Sequence, residues 1–388
     1  MQQIKRRLLI LFWLVILTGC WDRNEISDLN FIMGMAVDKI DKEKLRVTFQ
    51  WALPEQFSSE GSQSGTSQEN TSFSIEAESL GQAMAKLTEI SPRTPIYSHM
   101  EVIVIGEEIG NQGIEDVINT IDREFEIRRT VNIITAKGKA EGLLRSNTPF
   151  ESVSASGINN ILHLTNRSST YRPVNLNELF VHQSDPDVLA FMPLADMVMD
   201  TSLNKSEESG QNTWVRVNKM AFYDQYKLKT VLDEEETKAW MYLTGKIKKR
   251  TIMEIPTDKG KLVTSSTLQT SSSTIHMNGS TPVVRYQIEE EVSIMDKITK
   301  MTMAEMEKAI ASHIKKITTD TISKMQEDNL DVFFLRRSIR EQFPQKWEPI
   351  KKSWTEIYPE MDIEVMVNVS ILHENALRKE VPNHRPDS

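Results

Sequence analysis

Cys20 is the single cysteine of this 388-residue chain, and its surroundings suggest chemistry more clearly than those of any other side chain. It follows Leu17, Thr18 and Gly19, so a thiol stands directly behind two small residues. A thiol is a nucleophile that a lipid donor can alkylate, and small residues before it suit cleavage by a signal peptidase. We therefore expect Cys20 to carry a diacylglyceryl group and to become the first residue of the mature chain. Once this thiol is consumed, disulfides, cysteine nucleophiles and cysteine-ligated metals are excluded.

The residues ahead of Cys20 have the pattern of an export signal. Residues 5–7 are basic, and residues 8–17 (LLILFWLVIL) are wholly apolar. This run is shorter than the roughly 20 residues that a membrane-spanning helix requires. Together with the residues before Cys20, which resemble a bacterial lipobox, it predicts a cleaved lipoprotein signal peptide over residues 1–19. An uncleaved anchoring helix is the alternative. Two acyl chains anchor stably, so the mature protein should stay on the outer face of a bacterial membrane.

Two further pairs of residues could bind a metal. His99 and Glu101 lie two residues apart on a predicted strand, but no third ligand lies near them in the sequence. Asp185 and Asp187 form an Asp-x-Asp pair that lacks the glycine and the terminal glutamate of a calcium loop. We prefer a hydrogen-bonded pair or two unrelated surface groups for the first, and a turn opened by Pro186 for the second. We therefore predict no metal site.

The motifs of the common enzyme classes do not occur in the sequence. It contains no H-E-x-x-H, no phosphate-binding G-x-x-x-x-G-K-[ST], no dinucleotide G-x-G-x-x-G after a strand and no G-x-S-x-G elbow. Trp21, Trp347 and Trp354 could stack on a ligand, although packing in the core or at the anchor is the better interpretation. We predict no catalytic residues, no cofactor and no enzyme activity.

Charge limits the class of partner. The formal net charge is −9, and loss of the basic leader makes the mature chain more acidic still. A nucleic-acid-binding protein needs a basic footprint, and none is visible. An acidic body is repelled by an anionic membrane surface, so the lipid anchor and protein partners must hold it there.

The N-terminal part alternates strand and helix patterns. Residues 31–37, 45–53, 100–105 and 131–136 predict strands, and Ser79 predicts the start of a helix. Two amphipathic faces fit this alternation: Leu80, Ala83, Met84, Leu87 and Ile90, and Ile114, Val117, Ile118, Ile121 and Phe125. Such alternation favours helices packed on a sheet.

The later parts of the chain also mix strands and helices. Residues 220–223 and 227–232 predict a hairpin, followed by a helix with acidic residues in its first turn. Thr302 and Glu305 form a capping box that opens a long helix, and residues 363–371 alternate as a strand does. The apolar stripe of the long helix is Met306, Ile310, Ile314, Ile317 and Met325. Core packing is favoured over a partner groove for this stripe. A second helix should contain Pro349, Ile350, Trp354 and Ile357.

Three polar stretches, residues 58–72, 201–212 and 264–282, have the composition of loops or linkers. We predict that the first is a loop inside a domain and that the other two separate domains. The predicted fold class is α+β, with three mixed α/β domains that each consist of a sheet with flanking helices. The predicted limits are 20–200 for the N-terminal domain, 213–263 for the middle domain, 283–375 for the C-terminal domain and 376–388 for a polar tail.

Several segments together resemble the Ger(x)C family of spore germination lipoproteins. The most specific is residues 20–26 (CWDRNEI), directly after the small residues of the leader. Further similar segments follow in order: residues 98–101, 106–108, 123–128 (REFEIR), 220–238, 330–333, 343–347 and 354–359. The family often has glycines shortly after the segment that corresponds to residues 331–333 (Asp-Val-Phe), and also after the final strand. This chain has Phe334, Leu335 and Arg336 at the first place and Glu374 and Asn375 at the second, so its turns there should differ.

The resemblance implies a role in a receptor. Family members are the lipid-anchored third subunit of nutrient germinant receptors in the spore inner membrane, beside an A-type and a B-type membrane subunit. It also implies three α/β-type domains without a catalytic centre. We expect scaffolding or signal coupling, and no direct small-molecule ligand. The alternative is a solute-binding lipoprotein of a transporter, a class that usually has two repeated lobes joined by a hinge.

Overall fold

The computed structural model describes residues 26–52, 72–146, 151, 153–164, 169–199, 213–247, 250–279, 281–297 and 301–374. Cys20, the leader, Trp21 and the polar tail lie outside these ranges. Within them the protein is mixed α/β with two sheets, which confirms the predicted mixture of strands and helices. No helix among the described residues is long and apolar enough to cross a membrane.

The first sheet contains nine strands, in the order β3-β2-β1-β5-β6-β7-β8-β9, with β4 beside β1. The strands are β1 (Leu29–Lys39), β2 (Leu45–Ala52), β3 (Ser72–Ala77), β4 (Thr94–Ile96), β5 (Val102–Gly106), β6 (Asn132–Ala136), β7 (Ala190–Met199), β8 (Thr213–Asp224) and β9 (Lys227–Leu232). The four strands β1, β5, β6 and β7 in the middle of the sheet are parallel to one another. On one side β2 and β3, and on the other side β8 and β9, continue the sheet with antiparallel pairs. The central strand β5 reads VIVIG and is buried throughout, as a strand covered on both faces must be.

Seven helices accompany this sheet: α1 (Leu80–Ile90), α2 (Glu107–Gln112), α3 (Glu115–Arg123), α4 (Ala140–Leu144), α5 (Ser154–Leu164), α6 (Leu176–Ser184) and α7 (Glu234–Leu243). The predicted strand–helix alternation is confirmed, and Ser79 caps α1. Two residues of the predicted apolar faces are exposed, Ile90 by 54% and Phe125 by 91%. The reason is that α1 ends at Ile90 and α3 ends before Phe125, so neither side chain continues the buried stripe.

Close packing of α5 on the sheet depends on a glycine in β1. A Cβ atom added at Gly34 would lie 2.7 Å from the Cβ of Ala155 and 3.0 Å from Cδ2 of Leu144. Real Cβ atoms do not approach so closely. Gly34 therefore lets α4 and α5 lie directly against the middle of the sheet.

The second sheet has four strands in the order β10-β11-β12-β13. They are β10 (Ile252–Thr257), β11 (Gly260–Asn278), β12 (Thr281–Lys297) and β13 (Asp362–Glu374). Between β12 and its parallel neighbour β13 come α8 (Met303–Glu327), α9 (Leu335–Gln342), α10 (Pro344–Lys352) and α11 (Trp354–Ile357). The predicted capping box is confirmed, since Thr302 accepts from the backbone of Glu305 and Glu305 accepts from the backbone of Thr302. The predicted buried stripe of α8 is also confirmed, since all five residues are buried.

The interpretation of residues 264–282 as a linker was wrong. Most of this segment belongs to β11, which pairs with β10 on one side and with β12 on the other. Its serines and threonines resemble a loop in composition, but threonine is also favoured in strands. Leu262, Thr264, Ser266 and Ile275 are buried, while much of the remaining strand is exposed.

The predicted middle segment has no sheet of its own. Its strands β8 and β9 extend the first sheet, and β10 and the start of β11 belong to the second. Buried apolar residues of both sheets form one continuous core. The domain limits stay a prediction. The helix predicted around residues 349–357 is interrupted at Ser353, which divides it into α10 and α11.

Candidate functional site

Cys20, the predicted lipid attachment point, lies outside the described residues, so its lipidation stays a prediction. The structure does not bring His99 and Glu101 together with a third ligand. The ring of His99 packs edge-on against Phe31, with 5.0 Å between centroids, and its Nδ1 lies 3.1 Å from Oγ of Ser98. Among the described residues no group of three or more His, Cys, Asp or Glu side chains could hold a metal.

Glu101 instead is half-buried directly before β5. Burial raises the pKa of its carboxyl group, although hydrogen bonds from Ser156 and Asn159 act in the opposite direction. Both partners lie on α5, so the hydrogen bonds of Glu101 connect this helix to the sheet.

Trp347 and Trp354 pack in the core, as predicted. They are 4% and 5% exposed, and their rings meet edge-on with 6.2 Å between centroids. Trp354 also stacks on Tyr358, with 5.3 Å between centroids.

Asp185 and Asp187 form the expected turn, because Oδ1 of Asp185 accepts a hydrogen bond from the backbone of Asp187 at 3.1 Å. They also have partners that the local sequence did not indicate. Arg340 on α9 donates to both oxygens of Asp185, with distances of 2.9 and 2.8 Å. Arg336 and Arg340 both donate to Asp187, whose side chain is only 1% exposed. We call these four residues the charge cluster.

The charge cluster joins the two sheets. Its aspartates lie between α6 and β7 of the first sheet, and its arginines lie on α9, beside the second sheet. The hydrogen bonds from Arg340 lower the pKa of Asp185, so this carboxylate stays ionised. The partners are separated by 149 to 155 residues, and no sequence motif signals such a pairing.

Asp331 holds the start of α9, the helix that carries the two arginines of the charge cluster. Its carboxylate accepts hydrogen bonds from the backbone of Phe333, Leu335 and Arg336 at 3.2, 3.1 and 2.7 Å, at the start of α9. Burial raises the pKa of Asp331 to about 6 in spite of these bonds. A buried acid thus fixes the turn from which α9 begins.

Phe334 occupies the next turn in a left-handed conformation, with φ 63° and ψ 29°. Its ring packs against Phe191 and Trp240, with centroid distances of 5.7 and 6.3 Å. Trp240 in turn donates its indole N–H to the carbonyl of Val332 at 2.9 Å. This aromatic cluster, which also includes Phe222, lies between the two sheets next to the charge cluster.

Phe334→Ala is expected to destabilise the protein more than Phe334→Gly does, by about 1 kcal/mol, because only glycine adopts this φ without strain. Both changes remove the ring, so their difference isolates the backbone effect. Urea unfolding followed by circular dichroism measures it. As a control, the same pair of substitutions at Ser338, within α9, should favour alanine over glycine. Equal costs of alanine and glycine at Phe334 would contradict the argument.

Two family models match the chain in sequence. One, described as "Spore germination protein N-terminal domain", matches residues 22–197. The other, described as "Spore germination B3/GerAC like, C-terminal", matches residues 218–375. The Asp185–Asp187 turn lies in the first match and α9 in the second, so the charge cluster joins the two matched regions.

Two curated relatives are similar over nearly their whole length. Spore germination protein KC of Bacillus subtilis (strain 168) is 24% identical over 386 residues, which cover 94% of this chain and 94% of the relative. Putative spore germination protein YfkR of the same strain is 28% identical, with 95% of this chain and 96% of the relative covered.

The fold also matches a solved structure, described as the crystal structure of the GerBC protein. The TM-score is 0.57 at 18% identity, and the match covers 88% of this chain and 97% of the other. This likeness shows that the overall fold is shared. Because the two family models together match most of the sequence in order, the chain belongs to the Ger(x)C family of spore germination proteins.

Proposed function

We propose that this chain is a lipid-anchored, non-catalytic subunit of a membrane nutrient-receptor complex that is needed for spore germination. One observation carries the proposal: both family matches follow Cys20 in order and together extend from residue 22 to residue 375. Since the first match begins two residues after Cys20, a lipid on that thiol would hold the folded part directly at the membrane.

The proposed partners are the A-type and B-type membrane subunits of the receptor, on the outer face of the spore inner membrane. The acidic chain needs such partners, because an anionic membrane surface repels it. A scaffold or signal-coupling role agrees with a fold in which two sheets share a continuous core. The alternative, a solute-binding lipoprotein, is not favoured, because that class usually has two lobes that move about a hinge.

Cys20→Ala is expected to abolish lipid attachment and membrane anchoring while the folded part stays intact, because no other thiol is present. Membrane fractionation and mass analysis of the N-terminal peptide, in a strain without the other receptor subunits, measure this result. Thr18→Ser is the matched control, because it keeps a small residue before the thiol and should leave anchoring unchanged. An N-terminal peptide of the original protein with an uncut leader and an unmodified thiol would overturn the anchor.

The role in germination has a separate test. Spores that lack this chain should respond more slowly to a nutrient mixture, and expression of the original chain should restore the response. Cys20→Ala should not restore it. Normal germination of the deletion spores on every nutrient mixture that triggers the parent would contradict the proposed receptor role.

A further inference from the structure

A cavity of about 390 Å³ lies beside the charge cluster, between the two sheets. We call it the junction cavity. Its walls include Arg172 and His182 before β7, Thr244 and Lys246 after α7, Ser271 of β11, and the start of α9. Its volume lies in the lower part of the roughly 300–1,000 Å³ that small-molecule pockets occupy.

The side chains that line the junction cavity are cationic or hydroxylic where they are polar. Arg172, Lys246 and Arg337 supply positive charge, and no aspartate or glutamate belongs to the lining. Two of these cations pair with carboxylates outside the lining: Arg172 with Glu178, and Arg337 with both Glu341 and Asp185. Five hydroxyl groups complete the polar wall: Thr244, Ser271, Ser273, Tyr286 and Ser338. Those of Thr244 and Ser271 also donate to backbone carbonyl groups.

His182 lines the same cavity and is half-buried close to two of these cations. Burial, together with the charges of Arg172 and Arg337, lowers the pKa of its imidazole to about 4. The ring is therefore neutral at neutral pH. Its Nδ1 atom is buried and has no hydrogen-bond partner within the described part of the chain. An orphaned buried polar atom beside a cavity indicates that a ligand or water completes its hydrogen bonding.

We propose that the junction cavity binds a small oxyanion, a carboxylate or a phosphate, that bridges the two sheets. Guanidinium groups and hydroxyls are the donors that suit such oxygens. The ligand would contact Arg172 and His182 on the first sheet's side, and Ser271 and Arg337 on the second. Its binding would therefore favour one relative arrangement of the two sheets. The proposal goes beyond the receptor role and does not depend on the lipid anchor.

Binding is tested on the full-length chain in detergent, by calorimetric titration with inorganic phosphate and, separately, with succinate, at constant ionic strength set by chloride. Arg337→Gln should weaken binding by about tenfold or more, because a charge-assisted hydrogen bond is lost. Lys246→Met should also weaken binding, and this residue is exposed enough to change without disturbing the core. Lys261→Met, at the start of β11 and outside the cavity lining, is the matched control and should bind as the original chain does.

A second readout follows the histidine. Added anion should raise the pKa of His182 in an NMR titration, with the resonance assigned by its loss in His182→Gln. Preference for phosphate or for succinate identifies the class of oxyanion, and equal affinity indicates a general oxyanion site. Either result supports the proposal if Arg337→Gln and Lys246→Met weaken binding of the anion. No binding of either anion, or binding that both variants leave unchanged, would overturn it.

Discussion

Asp187→Ala is expected to lower the free energy of unfolding by about 2–4 kcal/mol. The carboxylate is 1% exposed and accepts from both Arg336 and Arg340. Its removal takes away the carboxylate that pairs with Arg336, while Arg340 keeps its hydrogen bonds to Asp185. Both arginines are about a third exposed, 30% and 32%, so water compensates part of the loss and the estimate stays below the full cost of a buried pair.

A double-mutant cycle separates the pairing of Asp187 with Arg340 from other effects. Urea unfolding of Asp187→Ala, Arg340→Ala and the double variant should give a coupling free energy of about 1–3 kcal/mol. The matched control is Lys316 with Asp320, an exposed pair on α8 whose side chains are 73% and 63% exposed. That cycle should give about 0.5 kcal/mol or less. A cost for Asp187→Ala no larger than that for Asp320→Ala would show that the charge cluster does not hold the sheets together.

The location of this cluster explains why the sequence predicted only part of the site. The turn at residues 185–187 was predicted correctly, because Pro186 and the hydrogen bond from Asp187 to Asp185 are local features. The arginine partners depend on how the two sheets pack, and that packing is decided by apolar residues throughout the core. A separation of 149 residues leaves no periodicity from which the pair could be inferred.

The fold was predictable where one face of an element is buried. The stripe of α8 and the alternation of β13 both follow from that rule, and the capping box at Thr302 and Glu305 is a local motif. The error at residues 264–282 has the opposite cause. β11 is a strand whose exposed face is rich in serine and threonine, so its composition equals that of a loop. Its pairing with β12 becomes visible only when both strands are aligned side by side.

Glu290 is the buried acid of this second sheet. It lies on β12 and is 2% exposed, and one carboxylate oxygen accepts a hydrogen bond from Ser266 on β11. The other oxygen has no partner among the described residues. Burial raises the pKa of this carboxyl group from 4.5 to about 8. Near neutral pH the folded protein therefore keeps a proton on Glu290 that the unfolded chain releases.

The sign of the pH effect follows from this difference in proton binding. Below pH 4.5 both states are protonated and the contribution of Glu290 to stability is fully present. As pH rises toward about 8, the unfolded state is increasingly favoured because only the folded state must hold the proton, and the contribution is lost. The raised pKa of Asp331, about 6, acts in the same direction but at lower pH. Measurement above about pH 6.5 therefore isolates Glu290 from Asp331.

Glu290→Gln is expected to stabilise the protein at about pH 8.5, by on the order of 3 kcal/mol, because the amide resembles the protonated acid and carries no charge to bury. The original protein should lose stability between about pH 6.5 and 8.5, whereas Glu290→Gln should change little over this range. Thermal unfolding at several pH values measures both curves. Glu289→Gln, a change of the exposed neighbour on the same strand, should leave the slope of the original protein in place. If Glu290→Gln keeps the same slope as the original chain, the buried carboxyl is already ionised at neutral pH, and the second sheet must accommodate its charge by contacts other than that with Ser266.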